Sequence, residues 1–167
     1  TYIAFSHKWG DMPEKAKTKP ANEQRRLTGS IRPAELPPSF KDVIAVTRAL
    51  GCRYLWIDCI CIVQGPDGDF DEQTDTMQDT FSNAYCVIAA ADAESANSGF
   101  LKEREGRSCQ IGNLHLSSVT NDFERDVLQN PLSRRGWVLQ EHALVRRTIF
   151  FTKTQTYWEC GEGVRCE

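Results

Sequence analysis

A chain of 167 residues with 20 Lys and Arg against 23 Asp and Glu carries a net charge of −3, so it offers no overall basic surface for nucleic acid or anionic lipid. Its length suits one domain with a core large enough to fold without staples. The seven cysteines, an odd number set mostly inside apolar runs (Cys59, Cys61, Cys86), read as reduced, buried thiols of a cytoplasmic protein rather than a disulfide framework.

The first predicted element is a strand at Tyr2–Ser6, followed by the polar turn His7-Lys8-Trp9-Gly10. Residues 11–35 are rich in Lys, Arg, Pro and Asn without periodicity, and read as an exposed loop. Ser39 is placed to cap a helix whose face is marked by Phe40, Val43, Ile44, Thr47 and Leu50, with Gly51 as its stop. Tyr54–Val63 is nearly continuously apolar and reads as a parallel strand buried on both faces. A turn at Gln64–Phe70 leads to a second helix, Asp71–Ala84, and then to a strand at Tyr85–Ala91. Residues 92–132 yield one strand, Leu114–Val119. A third helix spans Ser133–Val145, and strands at Thr148–Thr152 and Thr156–Cys160 follow. Alternation of strand and helix predicts an α/β fold with a mostly parallel sheet and helices on both faces. Thr1 opens inside a strand-like run and Gly161–Glu167 close no element, so 1–167 is expected to be one domain of a longer multidomain protein, with no signal peptide and no membrane span.

Four stretches together resemble the fungal heterokaryon incompatibility (HET) domain. They are Tyr2–Gly10; Leu36-Pro37 through Gly51 with Tyr54–Gln64; Asn83-Ala84 with Ala89-Ala90; and Asn130-Pro131-Leu132, Arg135-Gly136-Trp137, Gln140-Glu141 and Tyr157-Trp158-Glu159-Cys160. They occur in the family's order over nearly the whole chain. His7 departs from the pattern, which usually has Tyr there. HET domains in turn look like distant relatives of TIR domains, which implies a TIR-like (flavodoxin-like) sheet. Phe5-Ser6-His7 occupies the slot of the TIR first-strand Ser-aromatic pair, and Ile57-Asp58 that of the second-strand aliphatic-Asp pair. Trp137-Val138-Leu139-Gln140-Glu141 matches the Trp-x-x-x-Glu of NAD-cleaving TIR enzymes.

The resemblance implies that Glu141 is the catalytic carboxylate of an NAD glycohydrolase, with NAD as substrate and no cofactor. Trp137 and Glu141, at i and i+4, share a helix face, and an indole beside a carboxylate tends to raise its pKa. The pair reads equally as core Trp and solvated Glu. Open α/β sheets bind ligands at the carboxyl edge of their strands, which makes Ser6, His7, Lys8 and Trp9 candidate substrate contacts. Lys8 can meet a pyrophosphate. Trp9 either stacks on a base or covers the sheet edge. Asp58 either holds its loop or touches a ribose hydroxyl. Arg135, with Arg134, Arg146 and Arg147, brackets the third helix as an anion site or as solvated helix ends.

The acidic stretch Asp67–Asp79 lacks the alternating oxygen ligands and final bidentate Glu of a calcium loop, and reads as a solvated helix start instead. No metal is expected, because Cys59 and Cys61 read as core neighbours on one strand face and Cys160 and Cys166 lack a second ligand pair. Two functions follow: an NAD-hydrolysing cell-death effector, expected to act as a homo-oligomer, or a non-catalytic homotypic assembly module. Either would work with other domains of its chain or a signalling receptor, and without nucleic acid or membrane.

Overall fold

The apolar runs at Ile3–Ser6 and Cys86–Ala89 become two adjacent interior strands of a sheet, and each is buried over its whole length. A computed structural model describes residues 1–104, 108–117, 122–130, 132–133 and 144–167. Among the described residues eight strands are present: β1 (Ile3–Ser6), β2 (Leu55–Trp56), β3 (Cys86–Ala89), β4 (Ser108–Ile111), β5 (Leu114–Ser117), β6 (Arg147–Phe151), β7 (Thr156–Cys160) and β8 (Gly163–Cys166). Among the same residues the α-helices are α1 (Pro20–Thr28), α2 (Pro38–Ala49), α3 (Asp58–Cys61, a single turn) and α4 (Phe70–Ser82), with a π-helical turn at Glu124–Leu128. The main sheet has six strands in the order β2-β1-β3-β6-β7-β8, and β4-β5 form a separate hairpin.

The α/β class expected from the sequence is present, as a mixed sheet. β2, β1, β3 and β6 run parallel, with Ala4 opposite both Trp56 and Val87 and Ala89 opposite Phe150. β7 and β8 then reverse direction in two antiparallel pairings. Side chains alternate across β1 as a strand requires. Ile3 and Phe5 face Phe40 and Val43 of α2, whereas Ala4 faces Phe81 of α4 on the other side. Helices therefore cover both faces. A third apolar cluster, of Ala89, Val127, Leu132, Phe150 and Tyr157, closes the β6–β7 end.

Four expectations are corrected. Residues 11–35 are not a loop: α1 occupies Pro20–Thr28, with Pro20 at its first position and Asn22 Oδ1 accepting the Lys19 N–H at 3.0 Å. It buries no residue of its own, and Leu27 is 74% exposed; a helix without an apolar stripe gives no periodic signal. The Tyr54–Val63 run is a strand for only two residues before it coils into α3. Ser39 does not cap α2, which starts at Pro38; it lies buried inside the first turn and donates to Ser95 O at 3.3 Å. Gly161–Glu167 do form an element, the edge strand β8. The predicted helix at Ser133–Val145 falls largely outside the described residues. Gly51 ends the α2 segment with a φ of 70°, as expected of a glycine stop.

Candidate functional site

Parallel pairing brings the carboxyl ends of β1, β2 and β3 to one edge of the sheet, and the residues that leave them meet there. Ser6 ends β1 and is buried, and its carbonyl accepts the Ala90 N–H at 3.0 Å, which ties the β1 exit to that of β3. His7 is only 4% exposed. Its ring stacks on Phe5 with centroids 4.6 Å apart and meets Phe40 edge-on at 5.1 Å. Lys8 is half-buried in the turn.

Trp9 crosses to the neighbouring strand exit. Its indole N–H donates to Asp58 Oδ2 at 2.8 Å, while Asp58 Oδ1 accepts the Cys59 N–H at 2.6 Å. Both carboxylate oxygens of Asp58 are thus committed to fixing the junction between the β1 turn and α3. Gly10 follows with a φ of 53°, and a Cβ there would lie 2.4 Å from Ser95 Cβ. Only glycine lets this turn press against the 94–95 segment. That segment is held in turn by the Ala96 N–H on Trp9 O at 3.2 Å and by the Ser39 N–H on Ala96 O at 3.0 Å.

The other wall of the junction comes from the segment that sequence reading set aside as a loop. Thr18 is buried, and it caps the helical turn of α3: its N–H donates to Cys59 O at 2.9 Å and its hydroxyl to Ile60 O at 2.6 Å. Arg26 holds Thr18 Oγ1 at 2.7 Å and also donates to Lys15 O and Ala16 O. Lys17 Nζ sits 5.3 Å from the centroid of the Trp9 ring, within cation–π range. It is steadied by Glu14 at 2.6 Å, whose carboxyl is lowered to about 2 by its hydrogen bonds to Lys17 and Lys19.

Cys59 lies at the centre, fully buried, with Sγ 3.6 Å from Met12 Sδ. Burial, and then the Asp58 carboxylate beside it, push this thiol far above its ordinary range, so it is a poor nucleophile at neutral pH. Cys61 does not share its face. The helical turn leaves Cys61 exposed, whereas the predicted strand would have set the two thiols side by side.

Of the residues singled out from the sequence, the structure brings Ser6, His7, Lys8, Trp9 and Asp58 together at one sheet edge. Arg135, Trp137 and Glu141 lie outside the described residues. Thr18 and Lys17 were missed, because they sit in an unpatterned segment; Cys59 is the buried core thiol expected from its apolar run, but its place beside His7 and Asp58 was not foreseen. A separate cleft of about 490 Å³ opens at the amino end of β6, lined by Arg146, Arg147, Glu159, Cys160 and Glu162 among others. It is at the opposite end of the sheet from His7 and Asp58. Arg147 there stacks on Tyr85 at 5.2 Å and donates to its carbonyl at 3.2 Å.

Comparison with known proteins bears on this edge directly. The family described as "Heterokaryon incompatibility protein (HET)" matches residues 2–141. The match takes in both strand exits and stops short of Tyr157–Cys160. Among curated proteins, heterokaryon incompatibility protein 6, OR allele, of Neurospora crassa is 33% identical over 94 residues, which is 53% of this chain and 14% of that relative. The chain thus spans a small part of the curated relative it matches. No solved structure matches. Among the described residues, no helix is long and apolar enough to cross a membrane.

Proposed function

The chain belongs to the heterokaryon incompatibility (HET) family, and from that premise we propose that it is an effector domain of fungal incompatibility or immunity that triggers cell death by hydrolysing NAD. The finer fold reading, a TIR-like arrangement, is part of the same proposal. The observation that carries it is the junction at the carboxyl edge of β1 and β2, where Ser6–Trp9 and Asp58 converge through the Trp9–Asp58 hydrogen bond. Open α/β sheets seat their ligands at that edge.

The chemistry asked of the site is modest in its parts. Breaking the nicotinamide–ribose bond leaves a neutral pyridine and a positively charged, oxocarbenium-like ribosyl group, so the leaving group needs no acid. A carboxylate beside the ribose stabilises the developing charge and can hold a ribose hydroxyl. Glu141 takes this role, with Trp137 and Arg135 as further substrate contacts. Lys8 is suited to the pyrophosphate, and Trp9, with Lys17 on one side of its ring, to a flat ring on the other. Asp58 accepts from the Trp9 indole and from the Cys59 N–H, and its part is to hold the Trp9 turn in place.

The test is nicotinamide release from NAD by concentrated or artificially clustered protein. Wild type should release it and Glu141→Ala should be reduced by at least about a hundredfold, the scale of losing one transition-state stabilising group. Equal rates for the two proteins would remove the hydrolase reading.

A second reading, homotypic assembly without catalysis, is favoured by one observation. Strand β8 is exposed along its length and ends the sheet, pairing only with β7 among the described residues, and an edge strand is a template for pairing with another chain. Under that reading Glu141→Ala leaves cell death intact.

A further inference from the structure

We propose that His7, Asp58 and Cys59 form a binding site for a zinc-type divalent ion, which clamps the turn leaving β1 to the turn leaving β2. A ring nitrogen of His7, a carboxylate oxygen of Asp58 and the sulfur of Cys59 all lie within 4.8 Å of one another. Tetrahedral zinc holds such ligands at about 2.0–2.3 Å, and so roughly 3.3–3.7 Å apart. The set is at most about 1.5 Å from closure.

The donors select the class of ion. Magnesium and calcium take oxygen ligands and have little use for a thiol or an imidazole. One nitrogen, one oxygen and one sulfur suit zinc and its borderline neighbours, cobalt among them. Charge argues the same way. A divalent cation with one carboxylate and one thiolate is neutral overall, which a buried position tolerates far better than an unmatched charge. On binding, the Cys59 S–H bond breaks, its proton goes to solvent, and the sulfur electron pair goes to the metal. His7 binds as neutral imidazole and Asp58 as carboxylate.

Support around the ligands is independent of their spacing. The Trp9 indole N–H on Asp58 Oδ2 at 2.8 Å is the kind of outer hydrogen bond that orients a metal-bound carboxylate. The Phe5 stack and the Phe40 edge contact hold the His7 ring in one plane. Met12 Sδ, 3.6 Å from Cys59 Sγ, shields the sulfur from water. The ion would join His7 to Asp58, residues 51 positions apart in the chain. This inference stands apart from the NAD reading, because a metal can bind here whether or not Glu141 cleaves anything.

The experiment is a titration of the whole chain, purified with chelator and reductant, with Co²⁺ and then with Zn²⁺. Expected are one equivalent of cobalt bound, visible bands of a tetrahedral site, a near-ultraviolet thiolate-to-cobalt band, and displacement of all of them by zinc. Zinc should also raise the melting temperature of the wild type. His7→Phe keeps the ring stack and removes the nitrogen; it should fold, lose at least about tenfold in metal affinity, and show no zinc-dependent rise. Cys61→Ser, at an exposed thiol of the same turn, should behave as wild type. Absence of the thiolate band in wild type, or its persistence in Cys59→Ala, would overturn the site. So would an equal zinc-induced rise in His7→Phe.

Discussion

Strand β1 and the Tyr54–Val63 run look alike as sequence, both apolar and both delivered into the same sheet, yet they end differently. β1 stays extended for four buried residues and turns only at His7. The second run is extended at Leu55-Trp56, then coils at Asp58. The difference is position in the sheet. β1 has a strand on each side, and every residue of Ile3–Ser6 pairs with β3. β2 is an edge strand and, among the described residues, pairs only with β1, through two residues. An edge strand can leave the ladder if its polar backbone groups find other partners. Here they do: Ile57 O accepts from Ile60 and Cys61, Asp58 Oδ1 accepts from Cys59, and Thr18 takes up the Cys59 and Ile60 carbonyls.

The sharpest way to break this comparison is to truncate one large side chain on each strand. Phe5 is 1% exposed and packs against His7, Phe40 and Phe100. Phe5→Ala should cost about 3–5 kcal/mol, the range for deleting a buried ring. Leu55 is only half-buried, so Leu55→Ala should cost about 1–2 kcal/mol, below the range for a fully buried leucine. Denaturant unfolding of the two variants checks the ranking. Equal costs would mean that the edge strand carries as much of the core as the central one.

How much of this was legible beforehand follows the same division. β1 and β3 were readable as short apolar runs buried along their whole length, and β6 and β7 as short runs rich in β-branched and aromatic residues. Helices α2 and α4 were readable from faces that do face the core, such as Phe40, Val43 and Thr47, and Met77 and Phe81. α1 was invisible because polar contacts hold it: Arg26 to Lys15, Ala16 and Thr18, and Arg25 to Glu35 at 3.0 Å. Continuity of apolar residues in Tyr54–Val63 could not reveal α3, since the groups that permit the turn sit forty residues away at Thr18. Of the candidate site, the β1 turn and Asp58 were legible from the resemblance to HET and TIR domains. Their joining through the Trp9 indole was not; the burial of Cys59 was legible, but its position beside His7 and Asp58 was not.

Thr18 therefore offers a more selective break than Phe5. Thr18→Val keeps the shape and the N–H bond to Cys59 O, and removes only the hydroxyl that donates to Ile60 O and accepts from Arg26. A buried carbonyl left without its donor costs about 1–3 kcal/mol. The loss should be local as well as global. Hydrogen exchange should quicken at Ile60, Cys61 and Ile62, whose N–H groups bond to Ile57 O and Asp58 O within the turn, and stay unchanged in β1. Uniform acceleration across both strands would show that the turn and the sheet open as one unit.

The mildest probe changes no residue of the core and tests the turn itself. In a strand, residues two apart point to one face; in a helical turn they lie roughly 200° apart. Cys59 and Cys61 report which holds. Cys59 is fully buried, and its thiol is pushed far above the ordinary range by burial and by the Asp58 carboxylate. Cys61 is exposed, and loss of hydration raises its thiol as well, so it should react with iodoacetamide more slowly than in the denatured chain. Alkylation of the native protein at neutral pH, mapped by mass spectrometry, should label Cys61 while Cys59 stays unmodified until the fold opens. Cys61→Ser, correspondingly, should shift stability by no more than about 0.5 kcal/mol. Equal labelling of both thiols would mean that the run is extended as its apolar pattern suggests, and that Thr18 and Asp58 do not set where β2 stops.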